Sequence, residues 1–174
     1  MANIGIFYGS NEGNTAAVAD QLKEILSGMG SGHQFEVRNI GEAIPSDLEE
    51  FDHLILGIPT WNIGELQDDW DAFYYDMESL NLRGKKIAIF GLGDQYGYSD
   101  SFLDGVGMIG EEVIVRGGEL IGQWPVDGYE FTQSLALDID TTKFMGLAID
   151  QDNEVDKTPE RLKTWASQIL PQFN

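Results

Sequence analysis

The sequence predicts an α/β fold in which a parallel sheet is covered by helices on both faces. Short apolar runs of strand length alternate along the chain with stretches whose apolar residues recur at helical spacing. Several of the apolar runs are followed by a turn-rich polar segment. The chain has 174 residues, 42% of them apolar, and no repeats or linker, so we expect a single domain over residues 1–174.

Five apolar runs are the strand candidates, and the stretches between them carry helical faces. The candidate strands, in chain order, are 4–8, 35–37, 54–58, 87–91 and 119–124. Three sets of apolar residues have the spacing of one helix face: Val18, Leu22, Ile25 and Leu26; Met108, Ile109 and Val113; and Leu162, Trp165 and Ile169. Alternation of this kind is typical of a parallel sheet with crossover helices.

Three predicted strands end in a turn-rich segment rather than leading directly into a helix. These segments are 9–15, 59–64 and 92–98, after the first, third and fourth strands. In an open α/β sheet, ligands bind in the crevice outside the carboxyl ends of the strands. The three segments therefore predict a pocket at one edge of the sheet.

The first of these segments has the chemistry of an anion site. Ser10, Asn11, Asn14 and Thr15 supply polar side chains, and Gly13 permits an unhindered turn before a helix that we expect to start near Thr15. No Lys or Arg lies in the segment, and its glycine spacing differs from that of a phosphate-loop NTPase. Taken alone, the segment is equally compatible with a simple helix cap in a Gly-rich turn.

Two aromatic residues lie on the other two segments. Trp61 follows a buried strand, and Tyr98 ends a Gly-flanked polar turn. A single Trp in such a position is more often a core anchor. Two aromatics on neighbouring loops, beside a phosphate-type loop, are instead what a flat aromatic ligand with a phosphate tail requires.

Taken together, segments 9–15, 59–66 and 91–98 resemble the three flavin mononucleotide (FMN) loops of flavodoxins, in the same order. The likeness continues through residues 146–150 and the closing helix that contains Trp165. It implies a doubly wound, flavodoxin-like sheet of five parallel strands in the order 2-1-3-4-5, an order for which flavodoxin is itself the usual example. It also implies non-covalent FMN binding where strands one and three meet.

The resemblance also implies which residues contact the cofactor. Those expected at the FMN phosphate are Ser10, Asn11, Glu12, Gly13, Asn14 and Thr15. Trp61 and Tyr98 are expected to enclose the isoalloxazine ring. Those expected at its polar edge are Thr60, Asn62, Ile63, Gly64, Leu92, Gly93 and Asp94, largely through backbone groups. Further positions near the cofactor are Pro59, Ser101, Leu103 and Asp152.

Glu12 departs from the flavodoxin pattern, which usually has Thr or Ser at this position. A carboxylate beside a dianionic phosphate repels it. We therefore expect Glu12 to contact the phosphate only through its main chain, with its side chain in solvent or weakening the binding.

Residues 123–144 resemble the insertion that interrupts the fifth strand in long-chain flavodoxins. The resemblance implies that Trp124, Tyr129 and Phe131 pack within the insertion or face a partner, and do not contact FMN. Together with the 64–70 run, the Trp61 and Tyr98 pair is most similar to long-chain flavodoxins of cyanobacteria and algae.

The function that the resemblance implies is that of a low-potential one-electron carrier, without a catalytic residue of its own. Carboxylates such as Asp94 and Asp100 disfavour the negative charge that reduction adds. The alternative is an FMN-dependent NAD(P)H quinone or azo reductase. Such an enzyme needs a substrate pocket over the flavin and often a basic residue, whereas the 65–104 stretch has nine acidic residues and only Arg83, Lys85 and Lys86 as basic ones.

The charge balance bears on the choice of partners. There are 30 Asp and Glu residues against 10 Lys and Arg, a formal charge of -20. Such a surface repels nucleic acid and anionic lipid and attracts basic protein faces. The resemblance implies ferredoxin-NADP reductase, photosystem I or nitrogenase reductase as redox partners. The alternative is that the acidity only keeps a monomeric protein soluble.

Other classes of site are disfavoured by composition. The chain has no Cys, and its two histidines, His33 and His53, are too few for a usual metal cage. The 150–154 run resembles the start of a calcium loop but lacks its later Gly and acidic positions, so we expect a solvated acidic turn. The N-terminal segment has neither a basic region nor a long apolar run, and we expect a cytoplasmic protein without membrane insertion.

Overall fold

The centre of the molecule is a twisted, mainly parallel sheet. The structure is a computed structural model that describes residues 1–61 and 63–174. Its strands are β1 Asn3–Tyr8, β2 Gln34–Asn39, β3 His53–Trp61, β4 Glu65–Leu66, β5 Lys86–Leu92, β6 Glu119–Ile121, β7 Trp124–Pro125, β8 Lys143–Phe144 and β9 Leu147–Ile149. Its helices are α1 Asn14–Gly28, α2 Pro45–Glu49, α3 Asp68–Asp76, α4 Asp104–Val115 and α5 Thr158–Ile169.

The strand order confirms the sequence prediction. β2, β1, β3 and β5 lie side by side, and each neighbouring pair is parallel. The fifth position is shared, because β6 pairs with the first half of β5 and β9 with its second half. The antiparallel pairing of β4 with the end of β3 was not expected, since two residues are too few to show a strand pattern.

Helices cover both faces of the sheet. One core contains Val18 and Leu22 of α1 and Trp165 of α5, packed on the face formed by Ile6, Ile55 and Phe90. The core on the opposite face is formed by residues of α3, α4 and the other side of the sheet. From α3 and α4 come Trp70, Phe73, Val106, Ile109 and Val113, and from the sheet come Phe7, Leu56, Ile58 and Ile89. The predicted helical faces of α1, α4 and α5 are thus confirmed, and the sheet is doubly wound.

Two helices were not predicted. α2 is only five residues long. α3 begins where the side chain of Gln67 accepts a hydrogen bond from the Trp70 backbone N–H (3.3 Å). Three aspartates in its first turn complement the positive end of the helix dipole. Its apolar contacts rest mainly on Trp70 and Phe73, which are too few to show a helical period in the sequence.

The fifth strand ends earlier than the predicted 119–124. Gly122 follows β6 with a φ of 79°, and a side chain there would meet the Trp165 ring 2.8 Å away. The chain therefore turns out of the sheet, and Trp124 pairs with Phe144 in the small antiparallel hairpin of β7 and β8. The chain rejoins the sheet at β9, so the insertion predicted at 123–144 lies within residues 122–146, which separate β6 from β9.

Aromatic residues hold the insertion against the α4 side of the sheet. The rings of Tyr129, Phe131 and Phe144 lie 5.6 to 5.8 Å from that of Phe102, and the Trp124 indole donates a hydrogen bond to the Tyr129 hydroxyl (3.1 Å). Of the two expected roles, packing within the insertion or facing a partner, these contacts show the packing. Over residues 1–61 and 63–174, no helix is both long enough and apolar enough to cross a membrane.

Candidate functional site

A cleft of about 260 Å³ opens at the carboxyl edge of β1, β3 and β5. The three predicted segments meet there, together with the turn after β9. Most of the residues expected at the cofactor line it: Ser10, Asn11, Glu12, Asn14, Thr15, Pro59, Thr60, Trp61, Leu92, Gly93, Asp94, Tyr98 and Asp152. Gln151 also lines the cleft and was missed, because the 150–154 run suggested only an acidic turn.

The remaining expected residues lie elsewhere. Asn62 lies outside the described residues, and the others, although described, are not part of the lining. Ser101 and Leu103 are buried, and Leu103 packs beneath Gly93. Ile63 is largely exposed, and Gly64 turns the chain with a φ of 88°. Gly13 is the N-cap of α1 in the left-handed region (φ 88°), which explains the need for glycine at this position.

The first segment presents the N-terminus of α1 to the cleft. The Gly13 N–H donates to the Ser10 hydroxyl oxygen (2.8 Å), which closes the turn before the helix. Asn14 and Thr15, the first residues of α1, both line the cleft. The first N–H groups of a helix have no partner within it and carry its positive dipole end. This end of the cleft therefore suits an anion held by neutral donors.

The first segment is fixed by contacts with β3 and α3. The Gly57 carbonyl in β3 accepts hydrogen bonds from the Gly9 N–H (3.2 Å) and from the Trp70 indole (2.9 Å). The Gln67 amide donates to the Asn11 side-chain oxygen (2.7 Å). A side chain on Gly9 would collide with Gln67 and Trp70, so only glycine fits there. These contacts hold the anion end of the cleft in place.

Aromatic side chains from two other loops lie in the same cleft. Trp61 is the last residue of β3, and Tyr98 ends the 93–98 loop with 44% of its surface exposed. The 93–98 loop is tied to β9, because the Gly93 N–H donates to the Ile149 carbonyl (3.0 Å). The Thr60 hydroxyl accepts from the Gly105 N–H at the start of α4 (3.0 Å). The cleft thus combines an anion end with aromatic surface.

Carboxylates surround this cleft. The pKa of Asp152 is raised by partial burial and by the charges of Asp94, Asp150 and Glu12. Burial acts to raise the pKa of Asp94 too, but hydrogen bonds from the Gly97 N–H, the Asn153 amide and the Tyr96 N–H outweigh it and lower that pKa. Asp94 is therefore kept ionised at the rim, and the cleft lies in a negative potential.

The expectation of a solvated acidic turn at 150–154 is wrong. Asp150 and Glu154 are only 0% and 9% exposed. The buried Gln95 amide donates to both carboxylates (2.8 and 2.7 Å), and Glu154 also pairs with Lys157 and Arg161. Lys157 and Arg161 are close to Glu154 in sequence, whereas Gln95, which joins both acids, is brought to them only by folding. Among the described residues, no cluster of acids or histidines is arranged to hold a metal ion.

Comparison with known proteins agrees with this geometry. A protein-family model described as Flavodoxin matches residues 6–165. The chain is 44% identical over 173 residues to the flavodoxin of Synechococcus elongatus and 41% identical over 171 residues to flavodoxin 2 of Salmonella typhi. These alignments cover 99% of both chains in the first case, and 98% of this chain and 96% of the relative in the second.

Solved structures share the fold at lower sequence identity. The structure of Fusobacterium nucleatum flavodoxin bound to flavin mononucleotide superposes with a TM-score of 0.92 and 29% identity, covering 100% of both chains. The fold and the cleft define a class of doubly wound α/β proteins in which one cleft has both an end suited to an anion and an aromatic surface. The chain belongs to the flavodoxin family. It is an electron carrier that uses FMN rather than an enzyme, and its partners are redox proteins; the alternative of a quinone or azo reductase is therefore set aside.

The buried Glu154 allows a prediction about pH and stability. Burial opposes its ionisation, but hydrogen bonds from Lys157, Gln95 and Arg161 outweigh this effect and bring its pKa from 4.5 to about 2. The stability that results is present above pH 4.5 and is lost as the pH falls toward about 2, because the unfolded chain takes up the proton first. Glu154→Gln should therefore lower the free energy of unfolding at neutral pH, by on the order of 3 kcal/mol.

Urea denaturation at a series of pH values measures this effect, and Glu111→Gln, at an exposed position of α4, is the matched control. The difference between Glu154→Gln and the unchanged protein should shrink as the pH falls below 4.5. A difference that stays constant across this range would show that the charge of Glu154 is not what stabilises the fold.

Proposed function

We propose that the cleft binds one FMN non-covalently and that the protein is a low-potential one-electron carrier. The single observation that supports this proposal is the joining of the α1 N-terminus with Trp61 and Tyr98 in one cleft. A phosphate group suits the first, and a flat aromatic ring suits the second. FMN carries both on one molecule, so the residues present fit the cofactor.

The proposed roles follow the positions of the residues. The polar groups and backbone N–H groups of segment 10–15 would hold the phosphate. Trp61 and Tyr98 would cover the ring, while Pro59, Thr60, Leu92, Gly93, Asp94 and Asp152 would contact its remaining surface. Ile63, Gly64, Ser101 and Leu103 would support the loops from outside the lining, and Asn62 keeps its proposed role at the polar edge.

When bound, FMN supplies the redox chemistry, and the residues of the chain set the conditions for it. Glu12, Asp94 and Asp152 line the cleft, and they disfavour any added negative charge. One carboxylate about 10 Å away, at an effective dielectric constant of about 40, raises the free energy of an added negative charge by about 0.8 kcal/mol. This corresponds to about 35 mV for one electron. Several carboxylates together support the proposal of a low potential.

The first experiment tests cofactor binding. We expect the purified protein to be yellow and to release about one FMN per chain on acid treatment. Because the proposed binding is non-covalent, the flavin should be released unmodified. Absorbance spectra and chromatography of the released flavin measure the stoichiometry. A colourless protein whose cleft takes up no added FMN would contradict the proposed function.

A second prediction concerns the carboxylate of Glu12. This side chain is exposed at the anion end of the cleft. Glu12→Thr should tighten FMN binding by roughly fivefold, about 1 kcal/mol, because it removes a repulsion and adds a hydroxyl donor. Fluorescence titration of the apoprotein measures the affinity. The matched control is Glu24→Thr, at an exposed position in α1, the helix that follows Glu12.

The sign of the result decides the role of Glu12. Equal tightening in Glu12→Thr and Glu24→Thr would mean that only the net charge matters. Weaker binding in Glu12→Thr alone would show that the carboxylate makes a favourable contact, contrary to this prediction.

We further propose that the partners are redox proteins with a basic face, such as ferredoxin-NADP reductase, photosystem I or nitrogenase reductase. The support is the formal charge of -20, of which Glu65, Asp68, Asp69 and Asp71 lie in the chain segment directly after the Trp61 loop. An acidic surface of this kind guides a basic protein toward the cleft. We propose that the carrier acts as a monomer in the cytoplasm.

Electron exchange with ferredoxin-NADP reductase should therefore depend on salt. We expect the second-order rate constant to fall by roughly tenfold or more between low and physiological ionic strength, because salt screens charges beyond about 8–10 Å. Stopped-flow mixing over a series of KCl concentrations measures the rate, and sucrose at equal osmolality is the control. A rate that does not change would mean that the acidity serves only solubility.

A further inference from the structure

Gln95 is a buried polar residue within the 93–98 loop, which carries three residues of the cleft, Gly93 among them. Asp94 and Tyr98 of the 93–98 loop line the cleft, whereas Gln95 is only 1% exposed and is absent from the lining. A buried amide must have partners for two N–H donors and one carbonyl acceptor, or it destabilises the fold. The contacts of Gln95 therefore show what the loop is attached to.

The Gln95 side chain joins the 93–98 loop to two other parts of the chain. Its Nε2 donates to Asp150 Oδ2 (2.8 Å) and to Glu154 Oε1 (2.7 Å) in the turn after β9. Its Oε1 accepts the Glu130 backbone N–H from the insertion (2.7 Å). Its own backbone N–H also donates to Asp150 (3.2 Å). The amide of Gln95 is thus hydrogen-bonded to the turn after β9 through its nitrogen and to the insertion through its oxygen.

The partners of Gln95 are themselves held in place. Arg161 pairs with Glu154 (3.0 Å) and lies over the ring of Tyr129 in the insertion (4.4 Å from the ring centroid). The Asn153 amide bridges Asp150 and Asp94 (2.9 and 2.8 Å). These contacts restrict the movement of the network in a poorly solvated region, and among its buried side-chain polar atoms Arg161 Nη1 is left without a hydrogen-bond partner.

The insertion supports the next part of the loop in the same way. The backbone N–H groups of Thr132 and Gln133 donate to the Ser99 carbonyl (2.8 and 3.0 Å), and the Phe102 N–H donates to the Gln133 carbonyl (3.2 Å). The segment from Gln95 to Phe102 therefore lies between the cleft and the insertion. Tyr98 is within this segment.

We propose that Gln95 is a positioning residue that joins the insertion and the 150–154 turn to the 93–98 loop, and so holds Asp94 and Tyr98 at the ring end of the cofactor. This inference rests on the proposed function. Only an amide side chain of this length offers donors to two carboxylates and an acceptor to a backbone N–H. The effect should be confined to the ring end of the cleft, because the phosphate end is held by the separate contacts of Gly57 and Gln67.

The test compares two flavins on the apoprotein of Gln95→Met, which keeps the size of the side chain and removes its hydrogen bonds. FMN has a phosphate and riboflavin has none. We expect both to bind roughly tenfold more weakly, by a similar factor, because buried carboxylates and an N–H lose their partner and the ring end loosens. The two midpoint potentials of the bound flavin should also shift. Gln21→Met, at an exposed position of α1, is the matched control and should change neither affinity.

A second variant covers the case in which Gln95→Met does not fold. Asn153→Ala changes an exposed residue that bridges Asp94 and Asp150, and it should weaken both flavins by roughly threefold. The inference would be overturned if the variants bound FMN more weakly but riboflavin unchanged, or if neither affinity changed. In either case, FMN binding by the unchanged protein would still support the proposed function. Failure of the unchanged protein to bind FMN would overturn both.

Discussion

Parallel pairing of β1, β3 and β5 is the constraint on which the rest of the structure depends. These strands are buried on both faces, so their residues are almost entirely apolar and polar chemistry is confined to the loops. Parallel strands also bring their carboxyl ends to one edge, so segments distant in sequence meet there. The Gly57 carbonyl makes this convergence specific, because it accepts hydrogen bonds from both the first loop and α3.

The electrostatics of the cleft combine two opposing demands. An anion must be bound on a chain with a formal charge of -20, with Glu12 in the lining and with no Lys or Arg in the segment 9–15. The N-terminus of α1 can meet this demand with oriented N–H groups, which carry no full charge of their own. The carboxylates of the cleft also oppose added negative charge at the ring end, where three hydrogen bonds keep Asp94 ionised. One negative potential thus weakens anion binding and favours electron donation.

The insertion and the turn after β9 show how buried charge is accommodated. Glu154 is buried with Lys157 and Arg161 from the following segment and with Gln95 from the distant 93–98 loop as its partners. Without these partners, a carboxylate at such a site would be neutral or strongly destabilising. The network lies directly behind the loop that carries Tyr98, so the groups that bury the charge also support the loop at the cleft.

The sequence by itself determined the α/β class, the helical faces of α1, α4 and α5, and the three segments that form the cleft, because each depends on local periodicity or turn chemistry. The strand order followed from the family resemblance, and thirteen of the residues that the resemblance placed at the cofactor lie in the lining of the cleft. Tertiary structure alone decided that β6 ends before Gly122, that Ser101 and Leu103 lie outside the lining, and that Asp150 and Glu154 are buried. Gly122 turns away from Trp165, and Glu154 is paired with Arg161 and Gln95. Such outcomes depend on residues brought together only by folding, which no local pattern contains.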